Sequence, residues 1–435
     1  MIERLVTTPF QKFVKVESLG GILLFSATII AITWANSPFS DAYESLWQSR
    51  INISTPWFSL DKPLILWVND GLMTIFFFLI GLEIKRELLI GELNSMKKAS
   101  FPLIAAIGGM VVPVLFFIVL NRDPESSKGW AIPMATDIAF SLAILQLLGN
   151  RIPLGLKVFL TAFAIVDDIG AVLVIAIFYS TGIKWLLVII ALAIILILAY
   201  LSYRKIYAKY LLFIAGLVVW YLFLKSGIHP TIAGVLLAFT VPIRQQIDFR
   251  TYAIRLKSLS AAICKSVDKE RPILTNQQIE EIDNLEDWTN QVQSPLQHLE
   301  HKLHNWVAYF IIPVFALSNA GVALNSASNI NIGLATSIAL SLILGKLVGI
   351  TLLSYIGVKL KLSSIPEGIN NMHMAGVAIL AGVGFTMSIF ISNLAFEADP
   401  LFMDSSKIGI LSGSLIAGFL GYFLLKFSSK KPALE

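Results

Sequence analysis

Long apolar stretches separated by short polar connectors dominate this chain from end to end. A bilayer core takes about 20 mostly apolar residues per helix, and the pattern predicts about twelve such helices. They fall at 19–36, 64–83, 101–120, 130–149, 155–179, 183–202, 208–225, 229–244, 305–323, 332–356, 370–393 and 407–427. The expected fold is an all-α polytopic membrane protein. Two connectors are too long for simple turns. Residues 37–63 hold Arg50-Ile-Asn-Ile-Ser-Thr and Trp57-Phe58-Ser59-Leu60, β-type runs suited to an external hairpin. Residues 245–303 are polar and of mixed charge, and Ile279, Ile282, Leu285, Trp288 and Val292 recur there at helical spacing. An amphipathic helix is expected; a solvated spacer and a docking or regulatory element remain equal readings. The chain thus divides into 1–244 (eight spans and the hairpin), 245–303 (a cytoplasmic linker) and 304–435 (four spans and a short tail).

Charge gives the arrangement a direction. Lysine and arginine concentrate in short cytoplasmic segments. With both termini on one side, that side holds Arg4, Lys12, Lys15, Lys85, Arg86, Lys97, Lys98, Arg151, Lys157, Arg204, Lys205, Lys209, Lys359, Lys361, Lys426, Lys430 and Lys431. The other side holds only Arg50, Lys62, Arg122, Lys128, Lys184, Lys225 and Lys407. Cytoplasmic termini in a bacterial inner membrane are therefore expected. Outside the long linker, Lys346 is the one basic residue left inside a span. The first stretch follows a basic start, as signal peptides do, but it has spanning length and lacks an A-x-A site, so retention is expected.

Composition agrees: 56% of residues are hydrophobic and 14% charged, against roughly a quarter charged in soluble domains. The single cysteine, Cys264, excludes an internal disulfide and makes a thiolate metal site unpromising. No basic patch interleaved with aromatics suggests a nucleic-acid partner.

Against this apolar background the buried acids stand out. An ionised carboxylate at mid-bilayer costs about 2.5–3.5 kcal/mol on insertion scales. Asp137 lies within the fourth stretch, and Asp167 and Asp168 lie together within the fifth. Successive helical residues point about 100° apart, so the adjacent pair cannot face one partner together. Two carboxylates this close resist simultaneous ionisation, and their protons leave in coupled steps. A hard cation such as sodium favours oxygen ligands. Competition between sodium and protons for these groups is an exchange mechanism. Lys346 supplies the opposite charge for an ion pair with one aspartate. The fourth stretch carries Pro133 and Thr136-Asp137, and the eleventh carries Gly382-Val-Gly384-Phe-Thr386. Both sequences favour interrupted helices, which mark the binding sites of secondary transporters.

The motifs Asn69-Asp70-Gly-Leu-Met, Gly81-Leu-Glu83-Ile-Lys85-Arg86-Glu87, Ala135-Thr-Asp-Ile-Ala-Phe140, Ala164-Ile-Val-Asp-Asp168, Ser226-Gly-Ile-His229-Pro, Asn319-Ala-Gly321, Gly345-Lys346 and Gly384-Phe-Thr-Met-Ser-Ile-Phe390 occur in this order. Together they resemble the NhaA family of bacterial sodium–proton antiporters. The resemblance implies twelve helices in inverted-topology repeats, an architecture for which NhaA is itself a standard example, with crossed broken helices at positions four and eleven. It implies electrogenic, pH-regulated exchange of sodium or lithium for protons. Asp168 would bind the ion, Asp167 would pair with Lys346, and Thr136 and Asp137 would neutralise helix ends. Glu83, Arg86, Glu87, His229, Glu300, His301 and His304 match pH-response positions. Asp70 reads equally as an accessory carboxylate or an interfacial residue. The hairpin looks like a homodimer contact, and no cofactor is expected beyond the transported ions. The stretch 245–303 departs from the family by its length. The rival readings are a sodium-coupled solute symporter and, further off, an intramembrane aspartyl protease, which needs aspartates facing each other from different helices.

Overall fold

The computed structural model describes residues 9–55, 58–180, 182–204, 206–245, 247–265, 273, 275–323, 330–366 and 368–428. Trp57, Arg4, Lys205, Lys430 and Lys431 lie outside these residues. The described chain is mostly helical. Among the described residues seven helices are long and apolar enough to cross a membrane, or up to ten if each sharply bent pair is one span. The chain is therefore a multi-pass membrane protein. One small sheet accompanies the helices: strands Arg50–Thr55 and Phe58–Pro63 pair antiparallel, with Arg50 opposite Pro63. Arg50 and Asp61 bridge the strands at 2.9 Å.

Two element boundaries correct the sequence expectation. The eighth stretch is helical only over Thr231–Thr240, which rises about 15 Å, half a bilayer core. Val241 precedes a proline and is extended (ψ 127°), so the helix cannot continue. The last helix, Pro400–Ser428, starts seven residues earlier than expected, because Asp404, Ser405 and Ser406 mask its apolar pattern. Lys407, taken as an outer-loop cation, is therefore a helix residue and only 6% exposed. In the long linker two helices form instead of one, Phe249–Lys265 and Asn276–Val292.

Two helices are broken at the middle of the molecule. The first comprises Ser126–Met134, a 3-10 helix, and Ile138–Leu147. The second comprises Asn371–Leu380 and Phe385–Ala395. Each pair bends by 44°. Where they meet, Asp137 N–H donates to the Val383 carbonyl at 2.7 Å. The crossing is tight: a Cβ on Gly384 would stand 3.0 Å from the Ala135 carbonyl oxygen. Beside it the helix Met96–Leu120 presses against Ile332–Lys359, Gly108 backbone on Gly349 backbone, and a Cβ on either would collide with the other's carbonyl. Small residues permit this approach where no hydrophobic drive separates helix from lipid. The contact holds Lys346 against the crossing.

Candidate functional site

Every helix break exposes backbone groups without intrahelical partners, and no water lies in a bilayer core to satisfy them. The crossing answers this with side chains. Asp137 caps two helix starts: it accepts from Phe140 N–H at 3.0 Å, and from Thr386 N–H and hydroxyl at 3.0 and 2.5 Å. Negative charge at a helix N-terminus is also the sign favoured by the helix dipole. Thr136 and Ser141 hydroxyls donate to the Ala381 and Leu380 carbonyls, at the end of the other half-helix. Ser414 accepts from Gly384 and Phe385 N–H.

Lys346 completes the set. Its ammonium donates to the Met134 carbonyl, freed at the end of the first half-helix, and to Thr136 Oγ1 at 2.9 Å. Asp167 stands 3.1 and 3.2 Å away through its two oxygens. Those three partners match the three donors of an ammonium. Neither member of this pair has side-chain exposure. The expected Lys346–Asp167 contact is present in the geometry.

Asp168 is placed differently. It is buried, but among the described residues no cation lies within ion-pair distance of it. It lines a cavity of about 60 Å³, whereas Asp167 and Lys346 do not. Thr136, Asp137, Thr161 and Thr386 supply the other polar groups near Asp168, and Phe76, Ile80, Ile165 and Met387 supply apolar wall. Glu83 and His304, 3.9 Å apart, line the cavity towards the membrane side that bears the 91–95 turn.

Towards the hairpin side the path is filled. Phe390 contacts Phe77 (5.4 Å between ring centres), Phe315 (6.3 Å) and His229 (5.3 Å). Beyond them three amides interlock. Asn319 Nδ2 donates to Asn69 Oδ1 at 2.9 Å, and Asn393 Nδ2 donates to Asn319 Oδ1 at 2.7 Å. Asp70 lies next, on the π-helical turn Trp67–Leu72, of a kind frequent at functional sites. It is only 8% exposed and bonds Lys62 of the hairpin at 2.6 Å, with His229 at 3.7 Å. Sequence reasoning counts Lys62 merely as a loop cation; its pairing across the hairpin end carries no local signal. Thr386 stands within a quoted motif, but its role on Asp137 was missed, as were Asn393 and Ser414.

Of the seven residues expected to respond to pH, the structure gathers five. Arg86 contacts Glu87 at 3.0 Å and Glu300 at 3.2 Å, and His304 lies beside Glu83. His301 is exposed next to them. His229 is not with the cluster: it sits at the hairpin side against Asp70 and Thr231. Burial raises the Glu300 carboxyl above the usual range, opposed by Arg86 and reinforced by Glu87.

The sequence profile of the family described as Na+/H+ antiporter 1 matches residues 11–425. Three similar proteins carry the name Na(+)/H(+) antiporter NhaA. The protein from Oleidesulfovibrio alaskensis is 46% identical over 96% of this chain and 93% of its own length. That from Bacteroides fragilis is 44% identical over 97% of this chain and 98% of its own length. That from Helicobacter pylori strain HPAG1 is 43% identical over 100% of this chain and 98% of its own. The match runs from the first span to the last, and the chain belongs to the Na+/H+ antiporter 1 family.

Proposed function

We propose that this protein is a secondary antiporter, not an enzyme, that exports sodium (or lithium) across the bacterial inner membrane in exchange for protons. The observation that carries the reading is Asp168: a buried carboxylate on the wall of a small cavity, with no cation within ion-pair distance among the described residues. A carboxylate in that setting is stabilised either by a proton or by a bound cation, and holding one excludes the other. Asp167 commits its charge to Lys346, so its turn with a proton requires the ion pair to open. Two carboxylates give two proton places against one sodium charge, and the exchange is then electrogenic. A net charge moving inward gains about 2.3 kcal/mol per 100 mV of membrane potential.

The cavity side is read as the cytoplasm, from the lysine and arginine bias, with both termini there, twelve membrane helices in inverted repeats, of which Thr231–Thr240 is the short eighth, and the filled aromatic side facing out. Alternating access then means moving the crossed half-helices to open the Phe390 side and close the other. The hairpin is read as a homodimer contact, and the 245–303 segment as cytoplasmic. The cavity size favours an ion over the solute of a symporter. It is about 60 Å³, against roughly 300–1,000 Å³ for small-molecule pockets.

The Glu83–Arg86–Glu87–Glu300–His304 cluster at the cavity mouth is read as the pH control. Its sign follows from Glu300, whose folded value is raised by burial. The protonated form favours the packed cluster at acid pH, and that contribution is lost as pH rises through the raised value. Ionisation then sets a new negative charge beside Glu87 and loosens the mouth, so transport rises with pH. The test is sodium- and lithium-driven collapse of a pH gradient in everted vesicles, scanned from mildly acidic to mildly alkaline. Collapse without any added organic solute is expected. A requirement for such a solute would move the assignment to a symporter.

A further inference from the structure

Between Thr240, where a membrane helix ends, and Pro295 the chain forms a helix pair of unusual charge. The helix Phe249–Lys265 carries Arg250, Arg255, Lys257 and Lys265 and no acid. The helix Asn276–Val292 carries Glu280, Glu281, Asp283, Glu286 and Asp287 and no base. They are joined by contacts on one face of the basic helix. Tyr252 shares a hydrogen bond with Thr289 at 3.1 Å, Arg255 lies over the Trp288 ring, and Leu259 is buried.

Those contacts fix what the basic helix shows to its surroundings. Phe249, Ile254 and Leu256 are 70%, 64% and 40% exposed, and Arg250 and Lys257 are exposed among them. At about 100° per residue these five fill an arc of roughly 160°, away from the acidic helix. Large apolar side chains interleaved with cations on one arc are the pattern of a helix that lies in a membrane interface. Reach agrees as well. Phe249 follows the membrane helix by only nine residues, an extended length of at most about 30 Å, and exposed Arg244 lies between. The acidic helix cannot share an anionic surface, so the pair has one lipid-compatible side.

We propose that the exposed arc of Phe249–Lys265 docks on the anionic headgroups of the bilayer in which the protein sits. Arg250 and Lys257 meet lipid phosphates, and Phe249, Ile254 and Leu256 enter the acyl boundary. The choice of leaflet rests on the cytoplasmic reading of residues 245–303; the docking itself does not.

The experiment uses the full-length protein with Cys264→Ser, carrying a spin label at Ala261→Cys or, as a control, at Asp283→Cys on the acidic helix. Nanodiscs of neutral phosphatidylcholine are compared with discs containing phosphatidylglycerol, which offer the same lipid on both faces and so do not depend on sidedness. At Ala261 anionic lipid is expected to shift the label from water-soluble to membrane-soluble relaxation agents. Arg250→Gln and Lys257→Gln should each reduce the docked-to-free ratio about fivefold, and high salt should do likewise. At Asp283 the label should stay in water throughout. Water exposure at Ala261 that is the same in both discs would overturn the proposal. So would spin exchange between Ala261 labels of two copies in direct contact, which would make the occupant a second chain; longer-range coupling is already expected from a dimer through the hairpin. Sidedness is read separately, from a membrane-impermeant thiol reagent on Ala261→Cys in right-side-out and everted vesicles. Labelling from the wrong side would overturn the cytoplasmic reading while leaving the nanodisc result intact.

Discussion

Asp167 and Asp168 are joined by one peptide bond and are both almost fully buried, yet their surroundings are opposite. Asp167 faces the packed side of the crossing, where Lys346 holds it, and it is not among the residues that line the cavity. Asp168, about 100° further round the helix, faces the cavity, and among the described residues no cation lies within ion-pair distance of it. The difference separates two uses of the same side chain. On the packed side, charge cancels charge and closes the ends of broken helices. On the cavity side, charge is left for something that comes and goes. Residue type does not make the distinction; helix rotation and one lysine do.

The comparison can be broken most severely at Asp168. Asp168→Asn should lower sodium-driven proton flux in proteoliposomes by on the order of 100-fold or more, because a neutral amide cannot exchange a proton for the cation. The protein should still insert and melt like the parent, since no ion pair is lost. Flux near the parent level would show that the two aspartates had been assigned the wrong way round.

On the packed side the expected loss is in stability. Lys346→Ala leaves Asp167 buried without its cation, and removing one partner of a buried pair costs about 3–5 kcal/mol. Thermal melting in detergent should fall accordingly, and Lys346→Ala with Asp167→Asn together should cost less than the two singly. Additive losses would mean that the pair does not act as one unit. A smaller effect belongs to Thr386→Val, which removes one of the donors on Asp137 and should cost about 1.5–3 kcal/mol. An unchanged melt would show that the remaining donors to Asp137 suffice.

The smallest effect sits at the cavity mouth. Glu300→Gln fixes the neutral form that acid favours, so the activity profile should move towards alkaline pH by about one unit or less. Transport against pH in everted vesicles measures it; a profile that does not move would remove Glu300 from the control.

Much of this site was legible in the sequence because charge inside an apolar run has few explanations. The aspartates and Lys346 were found in that way, and the two helix breaks from proline and glycine inside apolar stretches. What stayed hidden was rotation and boundary. Hydropathy reports how apolar a segment is but not which way a residue points, so the neighbours of each aspartate rested on the family resemblance alone. The Lys62–Asp70 contact spans only eight residues, from the second strand to the helix that follows it, and depends on how that helix is set against the strand, which hydropathy does not report. Thr231–Thr240 ends where Val241 meets a proline, a local signal that the apolar window overrode. Lys407 was misplaced because a polar first turn was read as loop.

The central claim concerns competition on Asp168, and the most direct measurement is sodium binding to the purified protein as a function of pH, with released protons counted in weakly buffered solution. Competition predicts that binding expels protons. It also predicts an apparent sodium affinity that falls about tenfold per pH unit on the acid side. Sodium binding of constant affinity across that range, with no proton released, would contradict it.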